Sequence, residues 1–427
     1  MIEVSCVWKP RCHRIVNDTT HYAGMASRSL PRVLMLSDVY FPRVNGVSTS
    51  IQTFRNDLDA LGCSTLLVAP EYPGTRSDEP GIRRVASRYV PFDPEDRAMV
   101  RRELERVCAS LAGQFDLIHI QTPFLAHHVG VRLARRLGIP VVETYHTYFE
   151  HYFHHYLPLL PKRLLRAVAR SISRTQCNAV TAVVAPSRQM AEALRAYGVR
   201  TEIRVIPTGL DLQRFEGADG DRFRARLSVS RDRPVMLNVG RVAFEKNIEF
   251  LIDVLERVRS TVPEVLLVIA GEGPALPALL RRAESRGLGP NVRFVGYLDR
   301  SGELLDCYRS ADVFVFASRT ETQGLVLLEA MALGVPVVST AVMGTKDVLE
   351  DARGAIVVDE DEKLFADAVA QVLTNRNLRD GLATDAREGV AARWSSTAMA
   401  RRMLELYEDA LCRGPVNSLR ERADYGS

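Results

Sequence analysis

Two carboxylates flank a glycine in Glu321-Thr322-Gln323-Gly324-Leu325-Val326-Leu327-Leu328-Glu329. An apolar run, Val313–Phe316, comes before them and Ala330-Met331-Ala332-Leu333-Gly334 after, so the expected order is strand, loop, then helix from about Leu325. Unpaired N–H groups at a helix start favour an anion at that end of the axis. Gly324 lets backbone come close to such a ligand. Glu321 then sits in the loop and Glu329 about one turn into the helix. One carboxylate can reach a sugar while the other reaches a ribose. The spacing alone would also suit a capping carboxylate followed by a surface glutamate.

A second cluster, Val239-Gly240-Arg241-Val242-Ala243-Phe244-Glu245-Lys246-Asn247, places two cations between a strand end and a helix, where charge and backbone together could hold a phosphate. Gly271-Glu272-Gly273-Pro274 follows the run Val265–Ala270. It fails as a dinucleotide fingerprint, since Leu276 stands where the third small residue belongs and Pro274 interrupts the turn, so a nicotinamide enzyme is disfavoured. Asp359-Glu360-Asp361 looks like a metal-binding pair but opens a helical stretch, where capping accounts for it. No metal is expected. In the first half, Tyr40–Val47 is a loop bearing Asn45 and Gly46, and Glu143-Thr144-Tyr145-His146-Thr147 closes a strand.

The elements that position these residues alternate regularly. Expected strands at Val33–Leu36, Thr65–Ala69, Leu117–Ile120, Pro140–Glu143, Ala179–Ala185 and Ile203–Pro207 are separated by helical stretches. A second series begins at Val235–Val239 and continues through Val265–Ala270, Val292–Val295, Val313–Phe316, Val335–Ser339 and Ala355–Val358. Short Val/Ile/Leu runs alternating with helices imply parallel sheets covered on both faces. The fold class is therefore α/β, with two Rossmann-like doubly wound domains facing across a cleft and ligands at the C-terminal ends of the strands. Expected boundaries are 1–30 as a disordered extension (or an upstream stretch before a start at Met25), 31–215, a linker at 216–230, 231–390, a helix at 391–413 packing back toward the first domain, and a tail at 414–427.

Length and composition agree with this. A chain of 427 residues with 46% hydrophobic and 25% charged residues suits two globular domains. Its net charge of +4 is too small to suggest a nucleic-acid partner. Seven scattered cysteines without ligand spacing fit reduced thiols in a cytosol. No apolar run reaches the ~20 residues that span a bilayer. A cytoplasmic protein, at most peripheral on the inner face of a membrane, is the expectation.

One stretch invites that peripheral reading. Aromatic and His residues crowd 148–156, including Tyr148 and Phe149, and Lys162–Arg174 follows as a basic helix. Leu164, Leu165, Val168 and Ile172 share one expected face, while Lys162, Arg163, Arg166 and Arg170 occupy the others. Such a helix suits an anionic lipid interface, although an ordinary surface helix has similar spacing. The His residues lack the spacing of a zinc site.

From Val33 to about Leu411 the chain resembles family 4 glycosyltransferases of the GT-B fold. The carriers are Thr320-Glu321-Thr322-Gln323-Gly324-Leu325 with Glu329-Ala330-Met331, and Gly240-Arg241 with Glu245-Lys246-Asn247. The resemblance implies a retaining enzyme with a nucleotide-sugar donor, no metal and no other cofactor. It assigns Glu321 to the donor sugar and Glu329 to its ribose. Arg241, Lys246 and the N–H groups of Gly324, Leu325 and Val326 take the diphosphate. Gly271, Gly273, Gly296 and Tyr297 flank the base. Gly46 and Asn45 lie near phosphate and acceptor, and His146 lies beside the transferred sugar. The string Val142–Tyr156 looks most like the diacylglycerol glucosyltransferase branch, which implies UDP-glucose, a lipid or lipid-linked glycan acceptor, and an anionic membrane surface. GDP-mannose as donor, a sugar-nucleotide epimerase of the same fold and a degenerate binding module are the alternatives.

Overall fold

The computed structural model describes residues 30–75, 79–90, 93–146, 148, 162–300, 302–351 and 353–415. The expected extension and tail therefore fall outside the described residues, except at Leu30, Gly414 and Pro415. The first lobe runs β1 (Val33–Leu36), α1 (Gly46–Ala60), β2 (Thr65–Pro70), β3 (Ile82–Val85), β4 (Ser87–Val90), β5 (Asp93–Met99) and α2 (Arg101–Ser110). It continues through β6 (Leu117–Ile120), α3 (Leu125–Leu137), β7 (Val141–Thr144), α4 (Lys162–Cys177), β8 (Ala182–Ala185), α5 (Arg188–Ala196) and β9 (Glu202–Val205). Its seven-stranded sheet has the order β3-β2-β1-β6-β7-β8-β9, and β4 and β5 form a separate antiparallel pair. Each ladder of the main sheet is parallel.

The second lobe begins with α6 (Gly220–Arg226), β10 (Val235–Val239), α7 (Ile248–Thr261), β11 (Leu266–Ala270), α8 (Leu276–Ser285), β12 (Val292–Gly296) and α9 (Glu303–Arg309). After these come β13 (Val313–Phe316), α10 (Leu325–Ala332), β14 (Val337–Ser339), α11 (Thr345–Leu349), β15 (Ala355–Val357), α12 (Glu362–Thr374), α13 (Arg376–Arg393) and α14 (Ser396–Arg413). Its parallel sheet has the order β12-β11-β10-β13-β14-β15.

Alternation along a strand sends successive side chains to opposite faces, and both faces are buried here. On β1, Leu34 and Leu36 enter one core with α2, α3 and α5, while Val33 and Met35 enter another with α1 and α14. On β10, Met236 packs with α7, α8 and α12, and Leu237 packs with α9, α10 and α13. The winding direction reverses between β1 and β6 and again between β10 and β13. Loops leaving these four strands diverge and leave a crevice, the usual ligand position in such sheets.

Two chain crossings join the lobes. Leu210 N–H bonds to Trp394 C=O at 2.7 Å and Ser396 N–H to Leu210 C=O at 3.1 Å. A Cβ at Gly209 would stand 2.5 Å from Ser396 Cα, so only glycine lets the two strands of chain pass this closely. Beyond the crossing, α14 buries Met399, Met403, Leu406 and Tyr407 against the first lobe.

The segment expected as a linker, 216–230, is instead part of the second lobe. Asp219 caps α6 through the N–H groups of Asp221 and Arg222, Phe223 is 2% exposed, and Arg222 pairs with Asp306 of α9. Its turn-forming glycines concealed a short amphipathic helix.

Candidate functional site

Because β10 and β13 are paired neighbours, the loops leaving them lie side by side. Lys246 ends a single helical turn, Phe244–Lys246, and Asn247 follows at φ +56°. That turn aims the Lys246 ammonium at Glu321, and the two form an ion pair with side chains 18% and 21% exposed. Arg241 lies exposed earlier in the same loop, with no ion pair among the described residues. Gly324 caps α10 at φ +90°, and a Cβ there would come within 3.0 Å of Thr345 Cγ2. Leu325 and Val326, half-buried, form the first turn of α10, whose N–H groups lack intrahelical acceptors. The Lys246 ammonium and a helix start thus stand beside a carboxylate, with Arg241 earlier in the same loop. Such a cradle favours a diphosphate carrying a hydroxylated substituent.

Glu329 is 3% exposed on α10. Its Oε1 pairs with Arg300 and its Oε2 accepts from the Tyr308 hydroxyl at 2.8 Å. Burial in contact with Glu329 drives the Tyr308 phenol far up, and Glu329 raises the Arg300 guanidinium. Arg300 and Glu329 share the wall of a cleft of about 270 Å³ with Thr49 and Thr53 of α1 and with Thr208.

The glycine-rich loops pack directly against one another. Cβ atoms at Gly271 and Gly273 would lie 1.9 Å from Gly240 O and 2.4 Å from Val242 O. These glycines let the loop after β11 lie against the loop after β10, where Val242 N–H bonds to Glu272 C=O at 2.8 Å. Gly296, at φ +71°, joins them by accepting from Gly271 N–H at 2.8 Å, and Tyr297 is 53% exposed beside it. The loops after β11 and β12 thus make a platform beside the cation loop.

Across the cleft, Asn45 caps α1, its side chain accepting from Ser48 N–H at 2.8 Å. Gly46 is exposed, and a Cβ there would meet nothing within 4 Å. His146 Nε2 bonds to Gln121 Oε1 at 3.1 Å, which leaves Nδ1 as the open acceptor. Burial lowers His146 to about 4, so the ring is neutral near pH 7. Asp38, at the end of β1, accepts from the Thr122 hydroxyl and from Ala126 N–H at the start of α3. Burial still pushes its carboxyl up to about 6.

On α4, Leu165 turns inward at 5% exposed, which corrects its expected place on the outer face. Leu164, Val168 and Ile172 remain 52%, 43% and 39% exposed. Arg163, Arg166 and Arg170 are exposed beside them, and Arg170 lies over the Tyr197 ring, which also neighbours half-buried Tyr148. The helix has two apolar faces, and four-residue spacing did not separate them. Phe149, the Lys162 side chain and the His cluster at 151–155 lie outside the described residues. Among the described residues no group of three His, Cys, Asp or Glu could hold a metal, and no helix is long and apolar enough to cross a membrane. Asp361 caps α12, and Glu360 pairs with Arg319.

Sequence reasoning missed Arg300, Tyr308, Gln121 and Thr208. Arg300 sits in the loop that follows Gly296-Tyr297 and Tyr308 near the end of α9, but nothing in their spacing ties them to Glu329. Only the packing of α9 against α10 does.

Residues 219–389 match the family model for glycosyl transferases group 1, and residues 44–214 match that for glycosyltransferase family 4. The chain is 33% identical to the alpha-monoglucosyldiacylglycerol synthase of Streptococcus pneumoniae, over 72% of this chain and 70% of that one. It is 30% identical to a GDP-mannose-dependent alpha-mannosyltransferase of Mycobacterium tuberculosis, over 81% and 89% of the two chains. The structure of sucrose-phosphate synthase from Thermosynechococcus elongatus superposes with a TM-score of 0.71 at 24% identity, over 88% of this chain and 98% of that one, a likeness of fold.

Proposed function

The chain belongs to glycosyltransferase family 4, and from that premise we propose that it transfers glucose from UDP-glucose to a hydroxyl of a membrane lipid or lipid-linked glycan with retention of configuration. The observation that carries this reading is the Lys246–Glu321 pair standing before the start of α10, with Glu329 on the far side. A sugar diphosphate laid across it would have its diphosphate at Arg241, Lys246 and the N–H groups of Gly324, Leu325 and Val326. Its sugar would lie at Glu321 and its ribose at Glu329.

In the proposed step, the bond from the sugar C1 to the β-phosphate oxygen breaks and its electron pair leaves with the phosphate. Preorganised cations and amide dipoles stabilise that charge where it develops. The acceptor hydroxyl adds to C1 on the face being vacated and gives its proton to a departing phosphate oxygen. Neutral His146 orients sugar and acceptor through hydrogen bonds, and Gly46 and Asn45 close the site from the first lobe. The reading gives a metal ion no part, since cations and amides already face the diphosphate.

The lipid acceptor draws support from the pneumococcal relative and from α4, whose exposed Leu164, Val168 and Ile172 are flanked by arginines. That surface suits an anionic leaflet. GDP-mannose is the second donor reading, favoured by the mannosyltransferase relative. Purified protein incubated with radiolabelled UDP-glucose or GDP-mannose and a lipid extract separates these. Label in the organic phase supports the proposal and identifies the donor. Label released only as free sugar or an epimer overturns it.

A further inference from the structure

The proposed reading gives Glu329 the ribose, yet both its carboxylate oxygens are already engaged within the protein. We infer that Arg300, seconded by Tyr308, is the positioning residue that makes Glu329 a reader of the ribose 2′-hydroxyl, and so sets the preference of the site for ribo- over deoxyribonucleoside diphosphates. The inference rests on the donor reading of Glu329.

A carboxylate offers about four lone-pair directions, two on each oxygen. Arg300 uses one on Oε1 and Tyr308 one on Oε2, which leaves one on each oxygen. Two acceptors held side by side match the two adjacent hydroxyls of a ribose. A deoxyribose offers only one. Pinned from two sides on a buried helix, the carboxylate cannot rotate to recover the missing bond with water or backbone. Such a site rejects an analogue lacking a hydroxyl because a buried acceptor is left unpaired.

Arg300 has a second consequence. Glu329 is nearly inaccessible, and a hydrogen bond from a charged donor holds a buried carboxylate more firmly than one from a neutral donor. Tyr308 alone supplies a hydrogen bond without charge. Arg300 is therefore the firmer of the two anchors that aim the Glu329 oxygens at both hydroxyls. Its side chain is 28% exposed and lines the cleft with Glu329, so it does this from the ligand's own side. Lys246 and Arg241 attract the diphosphate whatever the sugar. Arg300 acts through the carboxylate on one hydroxyl.

The test is calorimetric titration of the intact protein with UDP and 2′-deoxy-UDP, and with GDP and 2′-deoxy-GDP. Wild type should prefer the ribo form of its nucleotide by about tenfold or more. In Arg300→Met the ratio should fall to within about threefold, through weaker binding of the ribo form, with the deoxy form little changed. Arg300→Lys, which keeps charge but not the fork, should fall between. A ratio unchanged in Arg300→Met, or equal weakening of both forms, overturns the inference while leaving the donor reading intact. Wild type that binds ribo and deoxy forms alike removes Glu329 from the ribose and takes the inference with it. Thermal melts accompany each variant. If Arg300→Met does not fold, Tyr308→Phe carries the test, and an unchanged ratio there overturns the inference.

Discussion

The carboxamide of Gln323 spans the Thr208 peptide, with Nε2 donating to the Thr208 carbonyl at 2.7 Å and Oε1 accepting from its N–H at 2.8 Å. The Thr208 hydroxyl in turn bonds to Ser50 on α1 at 2.7 Å. Gln323 precedes Gly324 in the loop that starts α10, and Ser50 lies one turn into α1. The two helix starts facing the cleft, one from each lobe, are thus linked through a single residue at the crossing between them. Arg188 adds a second tie by pairing with Asp347 and Glu350.

Gln323→Leu should unfold at lower denaturant. It strips two buried backbone groups of partners, and each unsatisfied group costs about 1–3 kcal/mol, so a loss of about 2–6 kcal/mol is expected by urea titration. Turnover should fall as well, because the start of α10 loses its reference to α1. A stability change below about 0.5 kcal/mol would show that the Thr208 peptide finds other partners.

Lys246→Ala should lower kcat about 100-fold or more, the usual effect of removing one donor from a developing anion. Its pair with Glu321 makes a control available. Glu321→Gln keeps shape and abolishes the ion pair, yet retains the Lys246 ammonium for phosphate, so it should affect the sugar more than the binding of UDP alone. Titration with UDP distinguishes them: Lys246→Ala should weaken it and Glu321→Gln should not. Near-normal turnover in Lys246→Ala would remove Lys246 from the step.

The loops that carry the candidate residues were legible because short apolar strands mark where each loop begins. Val239, Phe316 and Thr144 each end a strand, and Arg241, Glu321 and His146 follow in the loops that leave those strands. The pairing of Lys246 with Glu321 required the order β11-β10-β13, which no local pattern states. The packing role of Gly271 and Gly273 was not legible either, since the atoms they make room for belong to a loop some thirty residues earlier. Arg300 stayed hidden for the same reason, since its partner lies on the next helix but one. The strand β3 and the pair β4–β5 were missed because Arg-rich runs such as Ile82–Val85 lack the apolar continuity of buried strands.

Two glycines separate packing from binding. Gly271→Ala drives a Cβ to 1.9 Å from Gly240 O, so backbone must move, at a cost of about 1–3 kcal/mol or more. Gly46→Ala meets nothing within 4 Å, and its helical position tolerates Ala. The expected result is a lowered melting temperature for Gly271→Ala and an unchanged one for Gly46→Ala, with a higher donor KM in the latter. A Gly46→Ala enzyme with native kinetics would place the diphosphate away from α1.

Stability should respond to pH in two opposed ways. His146 falls from 6.5 to about 4 on folding through burial, so between these values the unfolded chain binds more protons and stability rises with pH, by at most about 3 kcal/mol. Asp38 rises from 3.8 to about 6, so the folded chain binds more protons there and stability falls as pH rises, by at most about 3 kcal/mol. Urea titrations at several pH values from about 4 to 6.5 should show the stability gap between wild type and His146→Gln moving in favour of wild type with rising pH. The gap to Asp38→Asn should move against it. Parallel curves for either variant would show that its group does not titrate in this window.

The outer face of α4 offers the last test, because apolar and cationic terms can be removed separately. Leu164, Val168 and Ile172 line one exposed stripe, and substitution of all three by Ser leaves inward-facing Leu165 and Ala169 in place. A basic residue near an anionic leaflet contributes about 1 kcal/mol, so replacing Arg163 and Arg166 by Gln should weaken binding to phosphatidylglycerol vesicles about tenfold or more. That effect should fade with added salt, while the loss in the Leu164/Val168/Ile172→Ser variant should persist at high salt. Both variants should keep their melting temperature and their affinity for UDP, since α4 lies on the opposite lobe from Lys246 and Glu321. Sedimentation with phosphatidylglycerol and with neutral phosphatidylcholine vesicles reads all of this. Equal binding of wild type to the two lipids would make α4 an ordinary surface helix and leave the acceptor to be sought in water.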